Sequence, residues 1–259
     1  LEEVSDNPFK KLYTKDEYIT EFYFVDNRLN LIKITATDNT LKTTAKSVFS
    51  GWGFRLLPDG KALEGDVISG TGTMAWGNNA AIYKGEWSYG LPHGEGEYVD
   101  SFGNKYSGMF KLGFFWGEGD FYSKQDASSY SGNYVMGKKH GKGKVSYKSM
   151  VGYQGDWFQD KMEGYGTYVM GSKYYYVGNM RNNNFNGKGE LNTPDGTITG
   201  KFRNGKPHGY CVQETSDGLQ RLEGVWQNGI KQGEFKLTVN AITKTQYFEN
   251  DIEIIKPEN

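Results

Sequence analysis

The sequence predicts an all-β protein: an elongated, single-layer, twisted antiparallel sheet of consecutive β-hairpins, an open repeat ladder with a small N-terminal β-rich cap. Three observations carry that expectation. A glycine–aromatic phrase recurs through the chain, its opening ring falling at Tyr83, Tyr106, Tyr130, Tyr153 and Tyr176, in steps of 23, 24, 23 and 23 residues. Side chains alternate in character within each phrase, the period-2 signature of a strand with unlike faces. Glycine supplies 36 of 259 residues, about twice its usual share, and the repeat accounts for the excess. A fixed period of this size marks units that are completed by their neighbours.

The elements follow in chain order. Residues 1–49 stand outside the ladder. Asp6-Asn7-Pro8 opens a short helix through Tyr13. Glu21 to Val25, Leu29 to Thr35 and Leu41 to Val48 read as strands, parted by Asp26-Asn27-Arg28 and Thr37-Asp38-Asn39. This segment is either a three-strand cap continuing the sheet or a separate domain. The array spans residues 50–251. It begins with Gly51-Trp52-Gly53, the closing half of a unit, and a shortened copy from Leu63 to Gly72. Full copies open at Tyr83, Tyr106, Tyr130, Tyr153 and Tyr176, and weaker ones at Ile198 and Leu222. A last half-unit runs from Lys244 to Asp251, and residues 252–259 form the tail. Decay toward both ends is what capping units look like.

Within the copy that starts at Tyr83, Tyr83, Gly85 and Trp87 share one face while Lys84, Glu86 and Ser88 share the other. Gly94, Gly96 and Tyr98 repeat the pattern, and Gly90 to His93, with Pro92, is read as the turn between the two strands. A glycine inside a strand marks close approach by something bulky. The expectation is that rings lie over the bare backbone of glycines in the same or the adjacent hairpin.

Composition narrows the function. Thirty basic residues balance 31 acidic ones, so no basic stripe suits a nucleic acid. One cysteine cannot build an internal disulfide framework and fits a reducing, cytoplasmic setting. No run of 18 apolar residues provides a membrane-spanning helix. Catalytic chemistry finds no constellation. His93, His140 and His208 share one phase of the repeat, each before a glycine, and read as turn residues bonding to backbone. Repeats apart, they cannot share a metal with bonds of about 2 Å. Cys211 takes the place of a repeat glycine and reads as packing, with no orienting third group beside His208. Glu95, Glu97, Glu118, Asp120, Glu163 and Glu190 are spread over a solvated face, without the cleft that a carboxylate pair needs. The glycine-rich phrase from Gly137 to Gly143 lacks the strand-to-helix setting of a phosphate loop. The chain is therefore expected to be no enzyme and to carry no metal or cofactor.

Tyr-x-Gly-x-Trp, followed by Gly and then His-Gly-x-Gly, resembles the MORN (membrane occupation and recognition nexus) repeat. The resemblance runs from about Gly51 to Asp251 in seven copies. It implies a non-enzymatic scaffold or adaptor whose curled aromatic face receives a partner peptide or helix, or a second copy of the chain. The residues of that face are Tyr106, Phe110, Tyr130, Tyr134, Tyr153, Trp157 and Tyr176, with Phe114, Phe115 and Trp116 at its edge, where these last three rings are read as lying in a turn. MORN proteins have been associated with acidic membrane lipids. Lys138, Lys139, Lys142, Lys144 and Lys148 of the third repeat are the matching cluster for a peripheral membrane adaptor. The setting this implies is cytoplasmic, at a membrane or the cytoskeleton. A third reading is a carbohydrate or cell-wall module, because aromatic glycine-rich hairpins also occur in choline- and glucan-binding repeats. Those favour Trp-Tyr-Tyr ahead of Gly-x-Met, of which Tyr174-Tyr175-Tyr176 is only a partial echo.

Overall fold

The structure, a computed structural model, describes residues 2–3, 10–15, 18–25, 28–36, 61–67, 69–77, 79–88, 91–148 and 150–255. It is all-β, an open antiparallel sheet of consecutive hairpins, as the repeat predicts. The chain divides into two compact units, Leu1–Lys139 and His140–Asn259.

The first unit holds two sheets. Strands β1 (Glu2–Glu3), β2 (Lys10–Lys15), β3 (Tyr18–Val25) and β4 (Arg28–Ala36) pair antiparallel in chain order as a sheet of their own. The short helix expected to run through Tyr13 is corrected here, because Lys10 to Tyr13 belongs to β2. One helical turn leaves most of its backbone groups unpaired, whereas β3 offers a full ladder partner from Lys10↔Tyr23 to Lys15↔Tyr18. The strands expected near Glu21 and Leu29 lie inside β3 and β4. That expected at Leu41 to Val48, and the half-unit at Gly51-Trp52-Gly53, lie outside the described residues. The ladder of this unit runs through β5 (Lys61–Gly65), β6 (Thr71–Trp76), β7 (Ala81–Ser88), β8 (Leu91–Val99), β9 (Lys105–Lys111), β10 (Phe114–Ser123) and β11 (Ser128–Val135).

β12 (Lys138–Tyr147) has most of its length in the second unit. It is followed there by β13 (Met150–Phe158), β14 (Lys161–Gly171), β15 (Tyr174–Arg181), β16 (Asn184–Thr193), β17 (Gly196–Arg203) and β18 (Lys206–Thr215). β19 (Gln220–Gln227), β20 (Ile230–Val239), β21 (Ile242–Glu249) and β22 (Ile252–Ile254) complete it, each strand paired antiparallel with the next.

Two backbone devices repeat. The hairpin turn is two residues long with both φ angles positive, as at Leu112 (50°) and Gly113 (80°) or Asn204 (50°) and Gly205 (81°). That is the mirror-type turn whose twist matches the flanking strands. The second strand of each hairpin therefore starts earlier than the sequence reading places it. Pro92 lies in β8 opposite Trp87, and Phe114, Phe115, Trp116, Lys138 and Lys139 are strand residues, not turn residues. The second device is a bulge. Pairing jumps from Phe115↔Phe110 to Gly119↔Gly108, so Met109 alone faces Trp116, Gly117 and Glu118. Gly117, at φ 65°, takes up the left-handed backbone that the jump demands.

Neighbouring hairpins are stitched at the turns. The N–H of the second turn residue donates to a carbonyl of the preceding repeat, from Gly113 to Pro92, Gly137 to Phe115, Asn183 to Met162, Gly205 to Phe185 and Gly229 to Pro207, at 2.8–3.1 Å.

Candidate interaction surface

The rings of the repeat form the packed side of the sheet. Each opening tyrosine reaches over its own hairpin, and its hydroxyl donates to the carbonyl three residues on. Tyr83 bonds Glu86, Tyr106 bonds Met109, Tyr130 bonds Asn133, Tyr153 bonds Asp156 and Tyr176 bonds Asn179, all at 2.8–3.0 Å. The accepting carbonyl belongs to the residue opposite the bulge, which has lost its ladder partner there. Glycine makes room for the ring: a Cβ placed at Gly166 would stand 2.5 Å from the Tyr153 ring. The expected pairing of rings with bare backbone is therefore what the hairpins contain. Burial pushes the phenols of Tyr153 and Tyr176 up to about 12, with Asp156 adding to the shift at Tyr153 and Tyr165 at Tyr176.

This packing places most of the expected contact rings inside. Tyr106, Phe110, Phe115, Tyr130, Tyr134, Tyr153, Trp157 and Tyr176 are all buried, at 8% exposure or less. Phe115 stacks on Tyr106 with centroids 3.6 Å apart, and Phe110 and Tyr134 meet Tyr106 edge-on at 5.0 and 5.4 Å. Phe114 and Trp116 flank Phe115 and stay half-buried, with the Lys111 ammonium 4.6 Å above the Trp116 ring. The expected open aromatic groove on this face is thus corrected. Glycines of the same hairpin and rings of the neighbouring one supply cover for these rings.

Two of the five lysines are engaged, each with a different partner. The Lys142 ammonium pairs with Asp156 at 2.5 Å. Asp156 is kept below the usual carboxylate range, since Lys142 and the Tyr165 N–H outweigh the opposing effect of burial. Lys139 is half-buried above the Tyr130 ring, and Lys138, Lys144 and Lys148 are exposed.

The other groups considered are structural. The His208 Nδ1 accepts the Asn228 N–H at 3.2 Å, the backbone bond expected of this phase. His140 rests 5.1 Å from the Phe158 ring, and among the described residues the buried Nδ1 of His93 has no hydrogen-bond partner, so the backbone bond expected of this phase is not made by that atom. Cys211 is fully buried and donates to the Lys201 carbonyl at 3.3 Å, and burial raises its thiol pKa. Among the described residues no His, Cys, Asp and Glu group is arranged to hold a metal ion, and no helix is long and apolar enough to cross a membrane.

The open surface is the opposite face of the second unit. Cross-strand pairs Tyr165↔Asn179, Val177↔Glu190 and Lys188↔Lys201 put these side chains on the side away from the Tyr176 ring. A trough of about 760 Å³ runs over β14 to β18, with Tyr165, Tyr175, Val177 and Tyr210 among its walls. Tyr165 and Tyr210 are 57% and 56% exposed. Beside them Arg221 grips Glu214 at 2.7 Å and Glu223 at 2.9 Å, an ordered charged rim. The sequence signal was present. At the middle of Gly-x-Gly, Glu95, Glu118, Lys142, Lys188 and Glu234 stand where Tyr165 and Tyr210 break the pattern.

A chain of glycine-bulged hairpins with a ring ladder and no catalytic cluster among its described residues is a β-hairpin repeat protein. The family model "MORN repeat" matches it six times, at residues 83–103, 106–126, 130–149, 153–172, 176–198 and 199–220. The chain belongs to the MORN repeat family, whose repeats are generally non-catalytic modules associated with protein and membrane-lipid interactions. It is similar to alsin of Homo sapiens and of Mus musculus, each 28% identical over 185 residues, and to alsin of Rattus norvegicus, 31% identical over the same length. These matches cover 68% of the chain and 10% of each alsin, so the chain spans about a tenth of those relatives.

Proposed function

We propose that the chain is a non-enzymatic scaffold that binds a peptide or helix of a partner protein along the open face of β14 to β18. The observation that carries this reading is the pair of exposed tyrosines, Tyr165 and Tyr210, bordering one trough. Exposed rings grouped on a concave surface mark a contact site, and tyrosine adds area at low entropic cost. Phe114 and Trp116 of the first unit are a separate contact point in this proposal, and the buried rings hold the strands of each unit in register. A cytoplasmic setting, and attachment to a membrane or the cytoskeleton through the partner, belong to the same proposal. Direct lipid binding by the Lys138–Lys148 segment is less favoured, because Lys142 and Lys139 already have partners.

Photo-cross-linking tests it. A benzophenone side chain placed at position 165 or 210 should give discrete adducts with one partner protein in a lysate. The control position is Phe102, which is 81% exposed in the first unit. Equal adducts at all three positions, or none at Tyr165 and Tyr210, would sink the proposal.

A further inference from the structure

A second hollow opens on the same unit, about 550 Å³ in volume, at the turn end of β15 to β18. Lys201 lines both this hollow and the tyrosine trough. The other charged groups of the hollow are Arg181 and Arg203, and no Asp or Glu lines it. Among the described residues none of these three cations makes a salt bridge. His208 adds an Nε2–H donor, since its Nδ1 accepts from Asn228, and Asn184 and Asn186 add side-chain amides. The patch is local, because the chain as a whole carries a net charge of −1.

The sequence makes this corner unique along the array. Arg181 and Arg203 occupy one repeat position in which the other copies have Ser88, Lys111, Val135, Phe158 and Gln227. Only here do two arginines stand in consecutive repeats. β15 and β17 are separated by one strand, about 10 Å from axis to axis, so both side chains can close on one small anion. Two guanidinium forks, an ammonium and several N–H donors suit a phosphate dianion, with one acid at the margin, Glu163, whose Oε2 accepts the Asn182 N–H at 2.9 Å.

We propose that the partner segment is phosphorylated, with a phosphoserine or phosphothreonine seated among Arg181, Lys201 and Arg203 and the flanking residues laid along the trough toward Tyr210 and Tyr165. The occupant is a peptide and not a free headgroup because the cationic hollow and the ring-walled trough meet at Lys201. An isolated phosphate ester would fill only the first. This inference deepens the scaffold reading and rests on it.

The test uses the whole chain and two immobilised degenerate peptide libraries, one with a central phosphoserine or phosphothreonine and one with plain serine or threonine. Vesicles containing phosphatidylinositol phosphates form a third arm. Arg181→Gln/Arg203→Gln and Tyr165→Ser/Tyr210→Ser alter exposed side chains, and circular dichroism checks their folding. The phosphorylated library should be retained about tenfold better than the plain one. R181Q/R203Q should erase that difference, and Y165S/Y210S should weaken retention of both libraries. Equal retention of the two libraries by the native chain would overturn the phosphate seat while leaving the scaffold reading standing. Retention of neither would overturn the phosphate seat and count against the scaffold reading too. Vesicle binding lost in R181Q/R203Q, with no library retained, would assign the hollow to lipid and overturn the peptide.

Discussion

Tyr176 shows how one residue position does several jobs at once. Its ring fills the space over Gly189, its hydroxyl satisfies the Asn179 carbonyl at 3.0 Å, and Phe202 meets it edge-on at 5.2 Å. Tyr176→Phe keeps the ring and leaves that carbonyl without a partner, so it should lower stability by about 1 kcal/mol in urea unfolding. Gly189→Ala should cost more, about 1–3 kcal/mol, since its Cβ would enter the ring's space and a strand with no slack cannot yield. A Phe variant worse than the Ala variant would mean that the hydroxyl, and not the ring seat, dominates. The phenols also impose a pH limit. Unfolded tyrosine ionises near 10, while Tyr153 and Tyr176 are held up to about 12 in the fold. Between those values the unfolded chain has lost protons that the native chain keeps. The stability these groups supply is therefore intact below pH 10 and lost as pH climbs toward 12. The urea midpoint should fall over that window, and less steeply in Tyr153→Phe/Tyr176→Phe. An unchanged slope would show that other groups set it.

At the level of the hairpin, the turn decides where strands begin. Asn204-Gly205 and Asn228-Gly229 adopt positive φ at both residues and are the residue pairs best suited to do so. Gln159 and Asp160 hold the same geometry at φ 48° and 68° with side chains that resist it. Gln159→Asn/Asp160→Gly should therefore raise stability by about 0.5–1 kcal/mol, read as a higher melting temperature. A fall would mean that those side chains make contacts worth more than the relieved backbone. The hairpins themselves were legible from the spacing of tyrosine and glycine. The turn position was not, although Asn-Gly marks it twice, because Pro92 and His93 look like turn residues and the bulge that carries them inside a strand has no side-chain signature beyond one more glycine. The site was harder still. Alternation separates two faces but does not say which is covered, and the rings lie on their own hairpin's glycines instead of standing open. Repeat seven shows the logic inverted: Leu222 opens it, Phe235 replaces the later glycine, and the Phe235 ring now covers Gly224. That exchange could be read only as decay until the ring's direction was known.

Within each unit the described hairpins pair with their neighbours in chain order, and in a repeat array of this kind stability is expected to be a sum of neighbour terms. The C-terminal copies show it. Trp226, Phe235, Phe248 and Cys211 form one buried cluster, with Ile198 and Leu222 against it and Trp226 edge-on to Phe235 at 4.7 Å. Removing Trp226 should destabilise that cluster by about 3–5 kcal/mol. In a globule with one core this would weaken every strand. In a ladder it should open β18 to β21 and leave distant hairpins closed, because local openings follow local contacts. Native-state hydrogen exchange on Trp226→Ala distinguishes the two. Amides of β18 to β21 should exchange much faster, those of β14 to β16 slightly faster, and those of β7 to β10 at the native rate. The trough over β14 to β18 lies next to the opened region, so ligand binding there should weaken without any change to its lining residues. Equal acceleration in every strand would show that the array folds as one cooperative body, and the neighbour-by-neighbour account would have to be given up.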